Sequence, residues 1–261
     1  MTDKRAILAE QRQQRIAELI RESGSTTVAM LEEEFGISSA TARRDLGVLE
    51  RQGKVKRTHG GAVLPGFTQQ EDSFQQRLEE AVSAKKRLAR AALSLMGEDE
   101  TLFIDSSTTA YYAAQRVLAG VPRVTILTNL MPVMELFTTV DSPDVRLMGM
   151  GGSFRGLTLS FVGPCTVRMV ESYLTDKLFF SVRGVTPEGY LTDSNPLEAE
   201  VKRAMVKQAA RPVLLVDGRK FERRGLRVIT HVSDVSSVLT ADAHRSHVEA
   251  LAESGVEVRS V

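Results

Sequence analysis

The chain has no tryptophan and one cysteine, Cys165, among 261 residues, and aromatic side chains make up only 5%. A single cysteine excludes an internal disulfide and any Cys-rich metal site, and a reducing cytoplasm is the expected compartment. No run of about 18 apolar residues occurs, so no membrane-spanning helix is expected. The opening MTDKRAILAEQRQQR holds no apolar stretch of the kind a secretory signal needs. A dominant charge is missing too: 34 Lys and Arg stand against 33 Asp and Glu, a formal net charge of +1. Attraction to a polyanion must then come from a patch rather than from the whole surface. What remains, 42% hydrophobic and 26% charged residues, is ordinary for a globular protein long enough for one large core or for two unequal domains. No metal and no cofactor is expected.

One such patch is visible. The stretch ISSATARRDLGVLERQGKVKRTHGGAV, residues 37–63, crowds Arg43, Arg44, Arg51, Lys54, Lys56 and Arg57 together against only Asp45 and Glu50. Before it, Ile16, Leu19 and Ile20 share one helical stripe, and Val28, Leu31 and Phe35 share a second. Gly36 breaks that helix and Ser38 is a good N-cap for a third. In the third helix Ala42, Leu46 and Leu49 face one way; Ser39, Arg43, Arg44 and Gly47 are expected on the other, exposed side. Lys54 to His59 reads as an extended arm closing at Gly60 and Gly61. Three helices and a cationic arm fit a winged helix-turn-helix. A helix fits the major groove, where an arginine can bridge two acceptors of guanine. Ser38, Ser39, Thr41, Arg43 and Arg44 are therefore expected to reach bases or phosphates, and Lys54, Lys56, Arg57 and His59 to lie along the backbone or minor groove. Asp45 is expected to orient neighbouring donors.

The texture then changes. A polar stretch without periodicity leads into a basic helix expected over Arg77 to Met96. Beyond it, apolar runs of strand length alternate with helical stretches: TLFID, VTILTN, VRLMGM, KLFFSV, PVLLVD, VSSVLT and VEVRSV. Continuous apolar strands separated by helices predict a mainly parallel sheet covered on both faces. The expected division is 1–62 for the winged helix-turn-helix, 63–74 for a linker and 75–261 for an α/β domain. In an open parallel sheet, ligands sit beyond the C-terminal strand ends, where helix N-termini offer free N–H groups. Polar residues cluster there: Asp105, Ser106, Ser107, Thr108 and Thr109; Thr128 and Asn129; Gly151 and Gly152; and Asp217 to Lys220. Hydroxyls at a helix N-terminus suit a phosphate or carboxylate.

The string TTVAMLEEEFGISSATARRDLGVLERQGKVKRTHGGAV resembles the DNA-binding signature of DeoR-type bacterial transcription regulators, through Phe35, Gly36, Ser38, Thr41, Arg43 to Leu46, Leu49, Gly53, Arg57 and His59 to Ala62. The second half, over about residues 74–240, is similar to the DeoR sensor domain. The matching pieces are Phe74, Arg77 and Lys85, the LFIDSSTT loop, Thr128 and Asn129, Gly151 and Gly152, VGP at 162–164, Asp176, EAEVKRAM with Lys202, and LLVDGRKF with Asp217 and Lys220. The resemblance implies a fold similar to ribose-5-phosphate isomerase. It also implies a phosphorylated sugar or related metabolite as effector, with Asp176, Lys202 and Lys220 among its contacts. Three departures stand out: Ser107 replaces the usual glycine of the loop, Tyr111 and Tyr112 follow it, and Arg183 stands where the family often has a small residue.

The expected function is a transcriptional regulator, a repressor of a carbohydrate-utilisation operon, not an enzyme, whose hold on double-stranded operator DNA depends on that effector. A single winged module buries too little for tight specific binding, so a homo-oligomer, dimer or tetramer, is expected. The alternative is a sugar-phosphate isomerase with an appended DNA-binding module. Against it, KLFFSVRGV lacks the glycine-rich lysine loop of those enzymes, and only Asp176 remains of their acidic cluster.

Overall fold

The computed structural model describes residues 9–23, 25–58, 60–63, 71–121, 123–140 and 143–261. The chain divides into two compact units, 1–69 and 70–261.

The first unit comprises α1 (Ala9–Ser23), β1 (Ser25–Thr27), α2 (Val28–Phe35), α3 (Ser39–Arg51), β2 (Lys56–Thr58) and β3 (Gly61–Val63). Its core is the three helical stripes brought together: Ile16 and Ile20, Leu31, and Ala42, Leu46 and Leu49 are all buried. Polar caps set the helix starts. Thr27 Oγ1 accepts from Met30 N at 3.1 Å, and Ser38 Oγ accepts from Thr41 N at 3.3 Å. Gly36, at φ 61°, ends α2 in the left-handed region. The strands form an antiparallel sheet in the order β1-β3-β2. A Cβ on Gly61 would stand 2.0 Å from the Thr26 carbonyl oxygen, so β3 can lie against β1 only because residue 61 is glycine. This is a winged helix-turn-helix. The expected 63–74 linker starts on the last residue of β3, runs through 64–70, which lie outside the described residues, and ends on the first residue of a helix.

The second unit begins with α4 (Phe74–Glu79), α5 (Val82–Leu93), β4 (Glu100–Ile104), α6 (Thr108–Gly120), β5 (Val124–Thr128), α7 (Met131–Leu136) and β6 (Val145–Gly149). It continues with β7 (Ser153–Arg155), β8 (Ser160–Val162), α8 (Pro164–Glu171), β9 (Thr175–Phe180), β10 (Gly184–Val185), β11 (Tyr190–Asp193) and α9 (Pro196–Gln208). It ends with β12 (Ala209–Asp217), β13 (Arg227–His231), β14 (Ser237–Ala241), α10 (Arg245–Glu253) and β15 (Glu257–Ser260). Seven strands make one parallel sheet in the order β15-β14-β12-β9-β4-β5-β6. Alternate residues of each strand enter opposite cores. Phe103, Leu178, Phe180 and Leu214 pack with Val170, Val201 and Met205 of α8 and α9. Leu102, Ile104, Phe179 and Leu215 pack with Leu88, Ala113 and Val117 of α5 and α6. Burial on both faces is why the strands read as unbroken apolar runs.

Two features depart from the sequence-based expectation. A small antiparallel sheet, β10-β11-β13, and a hairpin, β7-β8, accompany the parallel sheet; their strands are short and carry no continuous apolar run that would mark them. The basic helix expected over Arg77 to Met96 is two helices. Glu80 is extended and Ala81 adopts φ 46°, turning the chain between α4 and α5. The Lys85 ammonium then donates to the Arg77 carbonyl across the break.

Candidate functional site

On the first unit, α3 is held in a fixed rotation by a buried carboxylate. Asp45, only 2% exposed, accepts from Arg12 Nε at 2.7 Å and Gln13 Nε2 at 2.8 Å, tying α3 to α1. With Ala42, Asp45, Leu46 and Leu49 inward, Arg43 and Arg44 project into solvent, and no ion-pair partner holds either among the described residues. Lys54, Lys56 and Arg57 are exposed as well, and Arg57 N donates to Glu50 Oε1 at 3.0 Å. Ser38 and Thr41 share a hydroxyl contact at 3.0 Å within the helix cap, and Ser39 is half-buried in the first turn. His59 lies outside the described residues. Gly47 corrects an expectation: it is buried, not exposed. A Cβ there would meet Nη1 of Arg51 and of Arg57, each at 3.9 Å, so two guanidinium groups cover it.

On the second unit, the chain leaves β4 toward β5 and β6 on one side and later returns to the other side of β4 through β9, β12, β14 and β15. Adjacent strands whose connections depart in opposite directions leave a crevice at their C-terminal ends. A cleft lies there. Ser107, Thr108 and Thr109 border it at the start of α6, Ser181 and Arg183 after β9, Asp193 and Ser194 at the end of β11, and Arg219, Lys220 and Arg223 after β12. Arg77 and Lys85 close it from α4 and α5, with Glu71, Glu80 and Lys202 completing the wall. Ser107 caps α6, its Oγ accepting from Ala110 N at 3.1 Å. The first turn of α6, whose N–H groups have no helical acceptor, thus borders a cavity with seven basic and three acidic side chains.

Part of this charge is already matched. Lys202 Nζ donates to Asp193 Oδ2 at 2.7 Å and to the Ser181 carbonyl at 2.9 Å, with Asp105 Oδ2 at 3.4 Å. Burial disfavours its charge, but Asp193, Asp105 and Glu198 together hold its pKa above the ordinary lysine value. Arg219 is paired with Asp217 and Glu80 at 2.8 and 2.9 Å. Other donors are unmatched: Arg77 Nε and Nη2, Arg183 Nε, Ser181 Oγ and Ser194 Oγ are buried without partners. Lys220 makes no hydrogen bond or ion pair among the described residues. Burial, then the like charges of Arg77, Arg183 and Arg223, lower its pKa to about 7 against the pull of Asp217. Lys85 is lowered to about 8, by burial first and by Arg219 next. Buried donors without acceptors, and lysines pushed toward neutrality by burial and by neighbouring cations, are what an anion would relieve.

Of the residues expected at the effector site, Ser107, Thr108, Thr109, Lys202 and Lys220 line the cleft. Asp105 and Ser106 sit behind it. Asp105 is fully buried, accepts from Ser107 Oγ at 2.5 Å and faces Lys202, while burial pushes its carboxyl pKa up. Ser106 Oγ donates to Glu198 at 2.6 Å. Five others lie elsewhere, and the expectation that all strand ends share one pocket is corrected. Thr128 Oγ1 donates to the Ile104 carbonyl at 2.8 Å, and Asn129 Nδ2 to the Phe161 carbonyl at 2.8 Å, both ordering the turn after β5. Gly152, at φ 155°, would place a Cβ 2.0 Å from Thr166 Oγ1, so it serves close packing on α8, whereas a Cβ on Gly151 would stand in open space. These loops follow β5 and β6, which lie beyond the crossover point. Asp176 is at the opposite end of the sheet, where its carboxylate accepts from Thr101 N and Oγ1 at 2.8 and 2.7 Å. Conversely, Arg77, Lys85, Ser181, Arg183, Asp193, Ser194 and Arg223 were not assigned to the site from sequence. Their signal would have been basic residues just past the central strand ends, as in GRKFERRG.

A helix-turn-helix with a bare basic helix, carried on the same chain as a parallel α/β unit with a cationic cleft, has the make-up of a two-part transcription regulator. The sequence matches the DeoR-like helix-turn-helix domain over residues 12–66 and the DeoR C terminal sensor domain over residues 80–242. The chain belongs to the DeoR family of transcriptional regulators. It is 30% identical to the transcriptional repressor AccR of Agrobacterium fabrum, covering 94% of each chain. It is 32% identical to the L-fucose operon activator of Escherichia coli, over 88% of this chain and 93% of that one. Among solved structures, ribose 5-phosphate isomerase A from Neisseria gonorrhoeae overlaps 53% of this chain and 52% of its own, at 12% identity and a TM-score of 0.39.

Proposed function

We propose that this protein is a cytoplasmic repressor of a carbohydrate-utilisation operon, and that a phosphorylated sugar in the cleft of the second unit weakens its hold on operator DNA. The observation that carries this reading is the set of donors without acceptors, Nε and Nη2 of Arg77 and Nε of Arg183, beside the unpaired Lys220 around the N-terminus of α6. A phosphate fits that set because charge-assisted bonds from guanidinium, ammonium and helix N–H groups converge on it. Arg43 and Arg44 are the proposed base readers, with Ser38, Ser39, Thr41, Lys54, Lys56, Arg57 and His59 contacting the backbone or minor groove. A dimer or tetramer on a repeated site supplies the affinity that one winged module lacks. Sensing rather than turnover is favoured because the acidic side chains of the cleft are engaged: Asp193 with Lys202, Glu71 with Arg155 and Glu80 with Arg219. None is left as a free general base for aldose–ketose isomerisation.

The test is operator release. A panel of pentose and hexose phosphates is added to the protein bound to its own upstream DNA, and Lys220→Ala is run in parallel. The expected result is that at least one sugar phosphate releases the wild type, while the variant binds the same DNA and is not released. Release of Lys220→Ala at the same concentrations would remove Lys220 from the effector site, and substantial turnover of any sugar phosphate would make the protein an enzyme.

A further inference from the structure

Several arginines of the cleft already hold carboxylates from one short stretch of chain. Arg183 Nη1 donates to Asp72 Oδ2 at 2.9 Å, and Arg219 Nη1 to Glu80 Oε2 at 2.9 Å, with Arg223 Nη1 3.6 Å from the same oxygen. Beside Asp72, Glu71 takes both terminal nitrogens of Arg155, at 2.7 and 2.5 Å. Ser73 then opens α4 with a capping box to Gln76, and Phe74 N donates to the Leu157 carbonyl at 2.8 Å. In sequence this stretch follows directly on residues 64–70, through which the chain arrives from the helix-turn-helix.

The Arg183–Asp72 pair is asymmetric. The arginine side chain is 9% exposed and its Nε is buried without an acceptor, whereas the aspartate side chain is 31% exposed. Asp72 can therefore pass into water at modest cost, but Arg183 cannot be left without an anion. The hydrogen bond from Arg183 comes first among the causes that hold the Asp72 carboxyl below its usual pKa, with the charges of Arg183, Arg223 and Arg77 adding to it against the opposing effect of burial. Asp72 thus occupies the same cationic field that borders the start of α6.

We infer that Arg183 is an effector-contacting residue for which Asp72 competes, so that an incoming anionic oxygen takes over Arg183 and releases Asp72, with the turn that carries it, to solvent. Glu71 keeps its grip on Arg155, which confines the loosening to the turn and the first residues of α4. The signal to the rest of the chain is then an exchange of one carboxylate for another anion at a single guanidinium. This inference rests on the anion-cleft reading above and adds a residue that competes with the ligand.

The experiment uses the full-length protein and inorganic phosphate as probe, with binding measured by calorimetry and amide hydrogen exchange followed over residues 71–80. Asp72→Asn removes the competing charge and is expected to tighten phosphate binding about tenfold, while Arg183→Gln weakens it about tenfold. Phosphate is expected to speed exchange at the amides of Ser73 to Gln76 in the wild type, where a bound ligand ordinarily slows it; in Asp72→Asn these amides are already fast. An affinity that is unchanged or weaker in Asp72→Asn, or slower exchange over 73–76 on binding, would overturn the inference. Phosphate binding that Lys220→Ala abolishes but Asp72→Asn leaves untouched sinks this inference alone. Phosphate binding insensitive to Lys220→Ala, or no binding at all, sinks the cleft reading and the inference with it.

Discussion

The two units use the same side chain in opposite ways. On α3 of the first, Arg43 and Arg44 are exposed and unpaired, and the carboxylate that could have matched one of them, Asp45, is turned inward to Arg12 and Gln13. In the second, the arginines of the cleft face inward and most already hold a carboxylate, as Arg183 holds Asp72 and Arg219 holds Asp217 and Glu80. An exposed unpaired cation costs little in water and gains by displacing counterions from a polyanion, so its binding is strongly salt-dependent. A buried cation needs a partner at all times, so its binding is an exchange of partners and depends far less on salt. The difference teaches what each region can recognise: a long charged duplex at one, a small anion of defined shape at the other.

The largest effect is expected where the exposed set is broken. Replacing Arg43 and Arg44 together by Ala should cost about 3 kcal/mol or more of discrimination between operator and scrambled duplex, since each good bidentate contact contributes about 1–3 kcal/mol. Anisotropy titrations on both duplexes check this, and phosphate binding should be unchanged; a parallel loss of phosphate binding would mean that the two regions are not separable. A smaller effect is expected from Asp45→Ala, which leaves the Arg12 and Gln13 donors without their buried acceptor and should cost about 2 kcal/mol of stability in the first unit. Thermal unfolding followed by circular dichroism measures it, and a variant as stable as the wild type would show that Asp45 does not fix α3.

The smallest and most diagnostic effect is a pH dependence. Lys220 has its pKa lowered to about 7; an adjacent anion raises it, so binding takes up a proton. Phosphate affinity should then fall as pH rises above 7, by at most about tenfold per pH unit, and the fall should flatten in Lys220→Gln. The same lysine sets a stability trend of the opposite sense. Its folded pKa lies below its unfolded value, so its charging opposes folding at neutral pH and this burden is relieved as pH rises from about 7 toward 10. Without ligand, Lys220→Gln should accordingly melt higher than the wild type at pH 7, with the gap closing in alkaline buffer. A gap that widens instead would contradict the buried-cation description of the cleft.

What could be read in advance followed from periodicity and spacing. The three helical stripes of the first unit, its Ser38 cap, the Gly36 stop and the outward Arg pair are local facts of a helix, fixed by 3.6 residues per turn. The parallel sheet was legible because strands buried on both faces leave unbroken apolar runs such as PVLLV. The hydroxyl run at the start of α6 was legible because helix N-termini of such sheets collect polar groups.

Beyond that, tertiary structure decided. Thr128, Asn129, Gly151 and Gly152 stand at strand ends as Ser107 to Thr109 do, yet only the latter border the cleft. Strand order is a long-range property, and the crossover between β4 and β9 cannot be read from any one loop. Gly47 lies under Arg51 and Arg57 because their side chains fold back over α3. Arg183 and Asp72, 111 residues apart in the chain, became partners only when β9 and the segment before α4 met at one end of the sheet. Sequence set which side chains carry charge and which stretches are helix or strand. Folding alone set which charges face each other, because Coulomb energy and burial depend on distances that chain order does not fix.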